Sequence, residues 1–455
     1  MKTIASLLFF LFFSLKLTAQ QEPLLISGPM LGFSEHRSVL VWFEVGQNVK
    51  TAVLRYWEKN DVDFFYEMDY KGNLGNPYNP IHFELVKLKL NTTYLYELVL
   101  NGKVMPTVKQ HSFTTKPHQA NPEAEPLNFS FLAGSCTYLN DPVLDVAGTP
   151  YGQDPYIFRT MASMQTDFML WLGDNLYLRP SDYGSSAGIQ YRYSLQRKAP
   201  ELSELFASRP NYAIWDDHDF GPDNSDRSFE LKKSSQDIFR AYWGNKTYGS
   251  EYDHGIYSSF SWSDCDFFLM DDRSNRAPNA MIDSVAGKPN CEKSFFGEIQ
   301  LSWLKDKLLN SSATFKFVAV GNQVLNPVAE KEHLRDYPCE FYDLMAFILS
   351  YKINGVVFLS GDRHFSEVIA WQPKGGYKMY DFTCSPLTSR SHPVGTKELK
   401  NPYRVPETLV STNNFCRFDV TGPRNDRSLK MVSIDKSGVV VSSFMLSAKD
   451  LQMPK

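Results

Sequence analysis

Phe168-Met-Leu-Trp-Leu-Gly-Asp-Asn-Leu-Tyr177 decides the fold. Its first five residues are an apolar run halted by Gly173, the pattern of a strand buried on both faces of a covered sheet. Asp174 and Tyr177 then arrive just past the strand end, where open α/β sheets bind their ligands. Three other stretches repeat the design: Phe131-Leu-Ala-Gly-Ser-Cys136, Tyr212-Ala-Ile-Trp-Asp-Asp-His-Asp219 and Val356-Val-Phe-Leu-Ser-Gly-Asp-Arg-His364. Each apolar run ends in side chains that ligate metals. Four such endings are harder to explain by chance than any one alone.

Around these runs, strands alternate with helical patterns. Residues 154–164, 231–242, 297–309 and 339–351 read as helices, and residues 190–207 carry helical stretches in which Pro200 opens a second helix. In the 297–309 helix the expected apolar face is Ile299, Leu301, Trp303, Leu304 and Leu308. Residues 211–215, 255–262, 266–270 and 315–320 read as strands, and residues 415–446 return to β-hairpins. The fold class is α/β with substantial antiparallel pairing, two sheets with helices outside. Upstream, residues 38–45, 52–57, 82–86 and 93–100 are short strands separated by Gly, Asn and Pro clusters. They predict a small all-β, immunoglobulin- or fibronectin-like sandwich over residues 20–118. Residues 116–126 lack periodicity and read as the linker, leaving residues 119–455 as the larger domain.

Composition narrows the function. A chain of 455 residues with 43% hydrophobic content supports a real core and two domains. A net charge of -4 and the lack of a basic stripe argue against specific nucleic-acid binding. Residues 1–19 read as a cleaved secretory signal: Lys2, an apolar run over residues 4–15, then Leu17-Thr18-Ala19 before the cut. The run is too short to span comfortably and Lys16 interrupts it, so a membrane anchor is disfavoured. No later stretch is apolar for long enough to cross a bilayer, so the mature protein is expected in the periplasm or outside the cell. Six cysteines in an exported chain invite disulfides. Cys265 and Cys291 flank a loop-like segment and are the candidate pair, although spacing alone does not set connectivity.

Taken alone, each polar cluster has an ordinary reading. Gly-Asp-x-x-Tyr fits a capping Asp174 with a packed Tyr177. Asp216-Asp217-His218-Asp219 fits an acidic turn, but three carboxylates beside Ile214-Trp215 at the mouth of a core repel one another strongly without a cation. His364 stands two residues from Asp362 at an equivalent strand end, so both can turn toward one site. Gly134-Ser135 suggests a tight turn exposing Cys136, and a thiolate with a phenolate suits a trivalent or transition ion. Arg273 and Arg276, in Asp271-Asp272-Arg273-Ser-Asn-Arg276, offer forks that match phosphate oxygens. Asn322 and Gln323, after residues 315–320, offer a neutral oxygen ligand.

The ordered set Gly-Ser-Cys136, Gly-Asp174-x-x-Tyr177, Trp-Asp-Asp217-His218-Asp, Asp-Asp-Arg273-x-x-Arg276 and Gly-Asp362-x-His364 resembles the alkaline phosphatase D (PhoD-like) family. The resemblance extends to Gly28-Pro-Met-Leu-Gly32 and Tyr337-Pro-Cys-Glu340. It implies a two-sheet metallophosphatase-like sandwich and a binuclear or larger centre of ferric iron and calcium. Carried over, Cys136, Tyr177 and His364 hold iron and Asp174 bridges. Asp217 and Asp362 take calcium, with Asn322 or its neighbour as a candidate further ligand. His218 contacts the phosphoryl group, and Arg273 and Arg276 lie near it. Asp219 stands where Glu is more usual, and Arg363 where a small apolar residue is common.

The implied activity is hydrolysis of phosphomonoesters and/or phosphodiesters of small-molecule, lipid or nucleotide type. Two cations about 3.5–4 Å apart would neutralise the ester's charge and make hydroxide available for in-line attack. The competing reading is a non-catalytic exported protein, calcium-stabilised, whose β-sandwich binds glycan or partner. A scaffold does not require all five stretches.

Overall fold

The apolar runs become strands of two six-stranded sheets that share one core. The structure, a computed structural model, describes residues 22–119, 121, 123–145, 148–328 and 332–454. The expected signal at residues 1–19 lies outside them.

The first eight strands are β1 (Leu25–Ser34), β2 (Ser38–Val45), β3 (Ala52–Glu58), β4 (Tyr66–Asp69), β5 (Asn79–Val86), β6 (Thr93–Leu100), β7 (Lys103–Val104) and β8 (His111–Thr114). They form one sheet ordered β1-β2-β5 and a second, β4-β3-β6, with β7 and β8 both against β6. Burial alternates along β5 and the first half of β6. Val41, Phe43 and Phe83 from one sheet meet Leu54, Tyr96 and Phe113 from the other in a common interior. This unit seats on the rest of the chain through β1 and β2. Trp42 Nε1 donates to the Ala241 carbonyl at 2.8 Å, Tyr242 Oη to Glu44 at 3.1 Å, and the Phe33 amide to the Gly244 carbonyl at 2.7 Å. Lys116, read as the first linker residue, is buried, bonded to Glu35 at 2.5 Å and to the Ser261 carbonyl at 3.1 Å.

The later strands are β9 (Phe129–Gly134), β10 (Phe168–Leu172), β11 (Asn211–Ile214), β12 (Ser258–Trp262), β13 (Cys265–Leu269), a small hairpin of β14 (Ser284–Val285) and β15 (Lys288–Pro289), β16 (Phe315–Ala319), β17 (Val356–Ser360), β18 (Glu367–Trp371), β19 (Met379–Thr383), β20 (Asn414–Thr421), β21 (Ser428–Asp435) and β22 (Val440–Ser447). One sheet is ordered β11-β10-β9-β20-β21-β22 and the other β12-β13-β16-β17-β19-β18. Within them β9, β10 and β11 run parallel, as do β13, β16, β17 and β19. Their carboxyl ends therefore point to one edge of the sandwich. Every residue of β9, β10, β11, β16 and β17 is buried, which requires cover on both faces. On the inner faces, Phe131 and Phe168 each meet Phe267 of the opposite sheet at 5.3 Å, and Phe382 meets Phe418 at 5.5 Å.

Helices take the outer faces. They are α1 (Tyr156–Ser163), α2 (Ser186–Arg197), α3 (Pro200–Ser208), α4 (Asp217–Phe220), α5 (Lys232–Tyr242), α6 (Glu298–Asn310), α7 (Pro338–Ser350) and α8 (Thr396–Leu399). Phe158 of α1 and Phe206 of α3 flank Trp171 of β10 at 6.4 and 5.5 Å. Trp303 of α6 covers Phe268 of β13 at 6.4 Å. Among the described residues no helix is long and apolar enough to cross a membrane.

Two expectations are corrected. Ile299 is 45% exposed, whereas Gln300 faces inward with Leu301, Leu304 and Leu308. The reason is local: the Gln300 side chain accepts from the Asp271 amide at 2.8 Å and donates to the Asp271 carbonyl at 2.7 Å, bracing the loop after β13. The disulfides are Cys291–Cys339 and Cys384–Cys416, not Cys265–Cys291. Cys265 opens β13 and buries its free thiol in the core, while Cys291 sits in a loop that meets the start of α7.

The sheets approach closely at the edge where the parallel strands end. A Cβ on Gly361 would stand 2.5 Å from the carbonyl of Leu172, the last residue of β10, and 2.7 Å from Cβ of Ser135 just past β9. Gly361→Ala must therefore spread the two strand ends. It should destabilise the protein by about 1–3 kcal/mol, read as a lowered midpoint in urea; an unchanged midpoint would show that this approach is slack.

Candidate metal centre

Four strand ends build the site. β9 leads to Cys136, β10 to Asp174 and Tyr177, β11 to Asp217 and His218, and β17 to Asp362 and His364. The loops lock to one another through backbone bonds: the Cys136 amide donates to the Gly173 carbonyl at 3.3 Å, the Gly361 amide to the Gly321 carbonyl at 2.9 Å, and the Leu387 amide to the Ser135 carbonyl at 2.8 Å. Cys136, Asp174, Asp362 and His364 all take positive φ, 60°, 48°, 62° and 57°. Non-glycine residues rarely adopt this region, and it costs on the order of 1 kcal/mol apiece. Held strain of this kind clusters where side chains must be aimed. Here it turns each strand end back so that its donor faces a shared point.

Asp174 is that point. Three groups of potential ligands form, Cys136–Asp174–His364, Asp174–Asp217–His218 and Asp174–Asp216–Asp362. In each, the donor atoms lie within 4.8 Å of one another, and Asp174 belongs to all three. Cys136 Sγ lies 3.5 Å and Tyr177 Oη 3.2 Å from Asp174 Oδ2, and Tyr177 Oη lies 3.1 Å from His364 Nε2. His364 Nδ1 is 2.6 Å from the Arg390 carbonyl, which can only accept. The ring proton therefore sits on Nδ1 and the Nε2 lone pair faces the cluster, the arrangement of a ligating imidazole. Ser385 Oγ donates to Cys136 Sγ at 3.2 Å.

Burial shapes the charges. It raises the Asp174 carboxyl well above the usual range, and the neighbouring Asp217 adds to this. Burial also lifts Asp362, against the pull of Arg363, pushes the Cys136 thiol up to about 11 and raises the Tyr177 phenol further. Asp217 is the exception. Burial acts upward on it too, but His218, Arg273 and the Asn224 amide, which donates to it at 2.6 Å, hold it low. Left to themselves these donors keep protons. A cation reverses that logic, because thiol, phenol and carboxyl ligate only as anions. A thiol, a phenol, an imidazole and three carboxylates around one point fit a polynuclear centre.

The acidic quartet divides. Asp217 and His218 open to a cavity of about 1000 Å³, which Asp174, Tyr177, Asp362 and His364 also line. Asp216 and Asp219 do not, because each has internal partners. Asp216 N-caps α4 and accepts from Arg273 Nε at 2.6 Å; Asp219 accepts from the Asp216 and Asn175 amides and from Asn175 Nδ2. The mutual repulsion expected of the quartet is thus answered partly by an arginine and by backbone dipoles. His218 lies over the Tyr177 ring at 4.2 Å, with Asp223 3.5 Å from its Nε2.

Arg273 and Arg276, expected near the phosphoryl group, are wholly buried and do not line the cavity. Both point instead at Glu332, at 2.6 and 3.0 Å. Asn322 lies with them: its Oδ1 accepts from both guanidinium groups and its Nδ2 donates to Asp216 at 3.0 Å. Sequence reasoning missed Glu332, since Glu330-Lys-Glu-His333 reads as a solvated loop. It also missed Tyr151 and His392; His392 stacks on His364 at 4.0 Å and bonds Tyr151 Oη at 3.1 Å. Arg363 lines the cavity beside Asp362 and is held by Glu398 of α8.

A family model described as PhoD-like phosphatase matches residues 144–433. The curated alkaline phosphatase D of Bacillus subtilis (strain 168) is 23% identical over 387 residues, 72% of this chain and 62% of that protein. The chain thus spans less than two thirds of that relative's length. A solved structure of PhoD superposes with a TM-score of 0.75 at 18% identity, covering 95% of this chain and 92% of that one. Purple acid phosphatase PPD1 from yellow lupin (Lupinus luteus) seeds gives a TM-score of 0.63 at 12% identity, covering 92% and 74%. The fold is the mixed α/β sandwich of these two structures.

Asp219 offers a pH test in chelated protein. Burial raises it to about 7, so between pH 4 and 7 the folded state binds a proton that the unfolded state has released. Its contribution to stability is full below about pH 4 and is lost as pH rises toward 7. Relative to Asp219→Asn, the wild type should lose a few kcal/mol, to order of magnitude, across that window, on top of a pH-independent offset. Parallel pH profiles in urea denaturation would contradict this.

Proposed function

This chain belongs to the PhoD-like phosphatase family, and from that premise we propose that it is an exported, metal-dependent hydrolase of phosphomonoesters, phosphodiesters or both. The observation that carries the proposal is the place of Asp174 in all three ligand groups. On one side stand Cys136, Tyr177 and His364, strongly donating ligands suited to ferric iron. On the other stand Asp217 and Asp362, an all-oxygen pair suited to calcium. Asp174 bridges. When bound, the two cations supply positive charge for the phosphoryl oxygens and a hydroxide nucleophile near neutral pH.

The chain's own residues do the rest. His218, on the cavity wall and held between Tyr177 and Asp223, donates a proton to the departing oxygen. Arg273 and Arg276 act as positioning residues: they fix Asp216, Asn322 and Glu332, and through them the wall beside Asp217. Ser385 and the Arg390 carbonyl set the Cys136 and His364 orientations. We read residues 20–118 as an immunoglobulin- or fibronectin-like domain and residues 119–455 as the catalytic domain. Export to the periplasm or cell exterior is supported by two disulfides and by the apolar start of residues 1–19.

Asp174→Ala should lower kcat/KM on 4-nitrophenyl phosphate by about 10²–10³-fold or more. Retention within a few fold would remove the bridging role. Iron held by Tyr177 or Cys136 should give a visible charge-transfer band that Tyr177→Phe shifts or abolishes; a colourless, fully active protein would refute the iron assignment.

A further inference from the structure

Lys293 is a buried lysine without a counterion among the described residues. The residue is 5% exposed and lines the same cavity as Asp217 and His218. Among the described residues no carboxylate lies within 4.0 Å of its Nζ and no hydrogen-bond acceptor is within reach. Its close partner among them is the Tyr337 ring, whose centroid is 4.9 Å away. Nζ is not among the sealed polar atoms, so it keeps solvent contact where the side chain meets the cavity. Three acids that line the cavity have other partners, Asp336 with His333 at 3.6 Å, Asp223 with His218 at 3.5 Å and Glu332 with Arg273 at 2.6 Å. A ring face offsets little of the cost of burying an ammonium, and an anion offsets far more.

Lys293 does not touch the metal cluster. From Asp217 the contacts run to Arg273 at 3.9 Å, on to Glu332 at 2.6 Å, then to Arg276 at 3.0 Å, and Arg276 and Lys293 both lie against Tyr337. Arg273 and Arg276 are occupied by Asp216 and Glu332, which leaves Lys293 as the cation on this wall still open to a ligand. The cavity, about 1000 Å³, has room for much more than one phosphoryl group.

We propose that Lys293 forms a second anion subsite, which selects phosphoesters whose alcohol portion carries a further anionic group, phosphate or carboxylate. The inference rests on the phosphoesterase reading: the scissile phosphoryl lies at the Asp174 cluster and the second anion reaches Lys293.

The test compares a matched set in the metal-loaded protein: glycerol 1-phosphate, glycerol 1,3-bisphosphate and 3-phosphoglycerate, followed by phosphate release. The wild type should prefer a doubly anionic substrate by about tenfold in kcat/KM, as a charge-assisted contact implies. Lys293→Met should bring that ratio near one, and Lys293→Arg should keep it. Preference for the bisphosphate alone assigns a phosphate; equal preference for phosphoglycerate assigns any anion. A fall shared equally by all three substrates, leaving the ratio intact, marks Lys293 as structural and overturns the subsite, as does a wild type with no preference. If the wild type turns over none of these substrates nor 4-nitrophenyl phosphate, the phosphoesterase reading fails first.

Discussion

The structure depends on a concentration of carboxylates inside a core. Asp174, Asp216, Asp217, Asp219 and Asp272 are buried, and Asp362 half-buried, where the parallel strands of two sheets end. Any one of them would be costly there without a partner. The chain satisfies some internally. Asp219 takes backbone amides, Asp216 takes Arg273, and Asp272 accepts from the Asn322 amide at 3.1 Å. It leaves Asp174, Asp217 and Asp362 facing one cavity, beside a thiol, a phenol and an imidazole. Close glycines, left-handed turns and a disulfide at the end of β19 all serve to bring the strand ends near enough for that arrangement.

Much of this was legible because buried parallel strands are written as unbroken apolar runs. Phe168–Leu172 and Val356–Ser360 form strands with the bounds their sequence predicts, since Gly173 and Gly361 punctuate them. The donors just past each run could be found for the same reason. Other strands were hidden by polar residues inside the core. β18 opens with Glu367, wholly buried because Arg404 and Gln323 bond it, and no periodicity argument expects a carboxylate there. Gln300 is the helical counterpart: it takes an inward slot because the Asp271 backbone needs both its donor and its acceptor.

Partner choice was the least legible property. The Arg273 and Arg276 forks have the chemistry of phosphate recognition, yet which anion they meet is fixed by a loop some 60 residues away that brings Glu332 to them. Cysteine pairing has the same character. Cys291 and Cys339 are 48 positions apart, and only the docking of α7 makes them neighbours. Local sequence specifies donors and acceptors, and tertiary structure decides which of them are already spent.

That distinction governs how an anion can approach. A phosphoryl group entering the cavity meets three carboxylates, and the two arginines behind the wall are already neutralised by Asp216 and Glu332. Burial holds protons on Asp174 and Asp362 until a cation displaces them, so without one the floor offers a phosphoester little positive charge to bind. The side chains that would hold cations therefore also set when the floor can receive an anion. Lys293 stands apart from this coupling, because no carboxylate of the cluster contacts it.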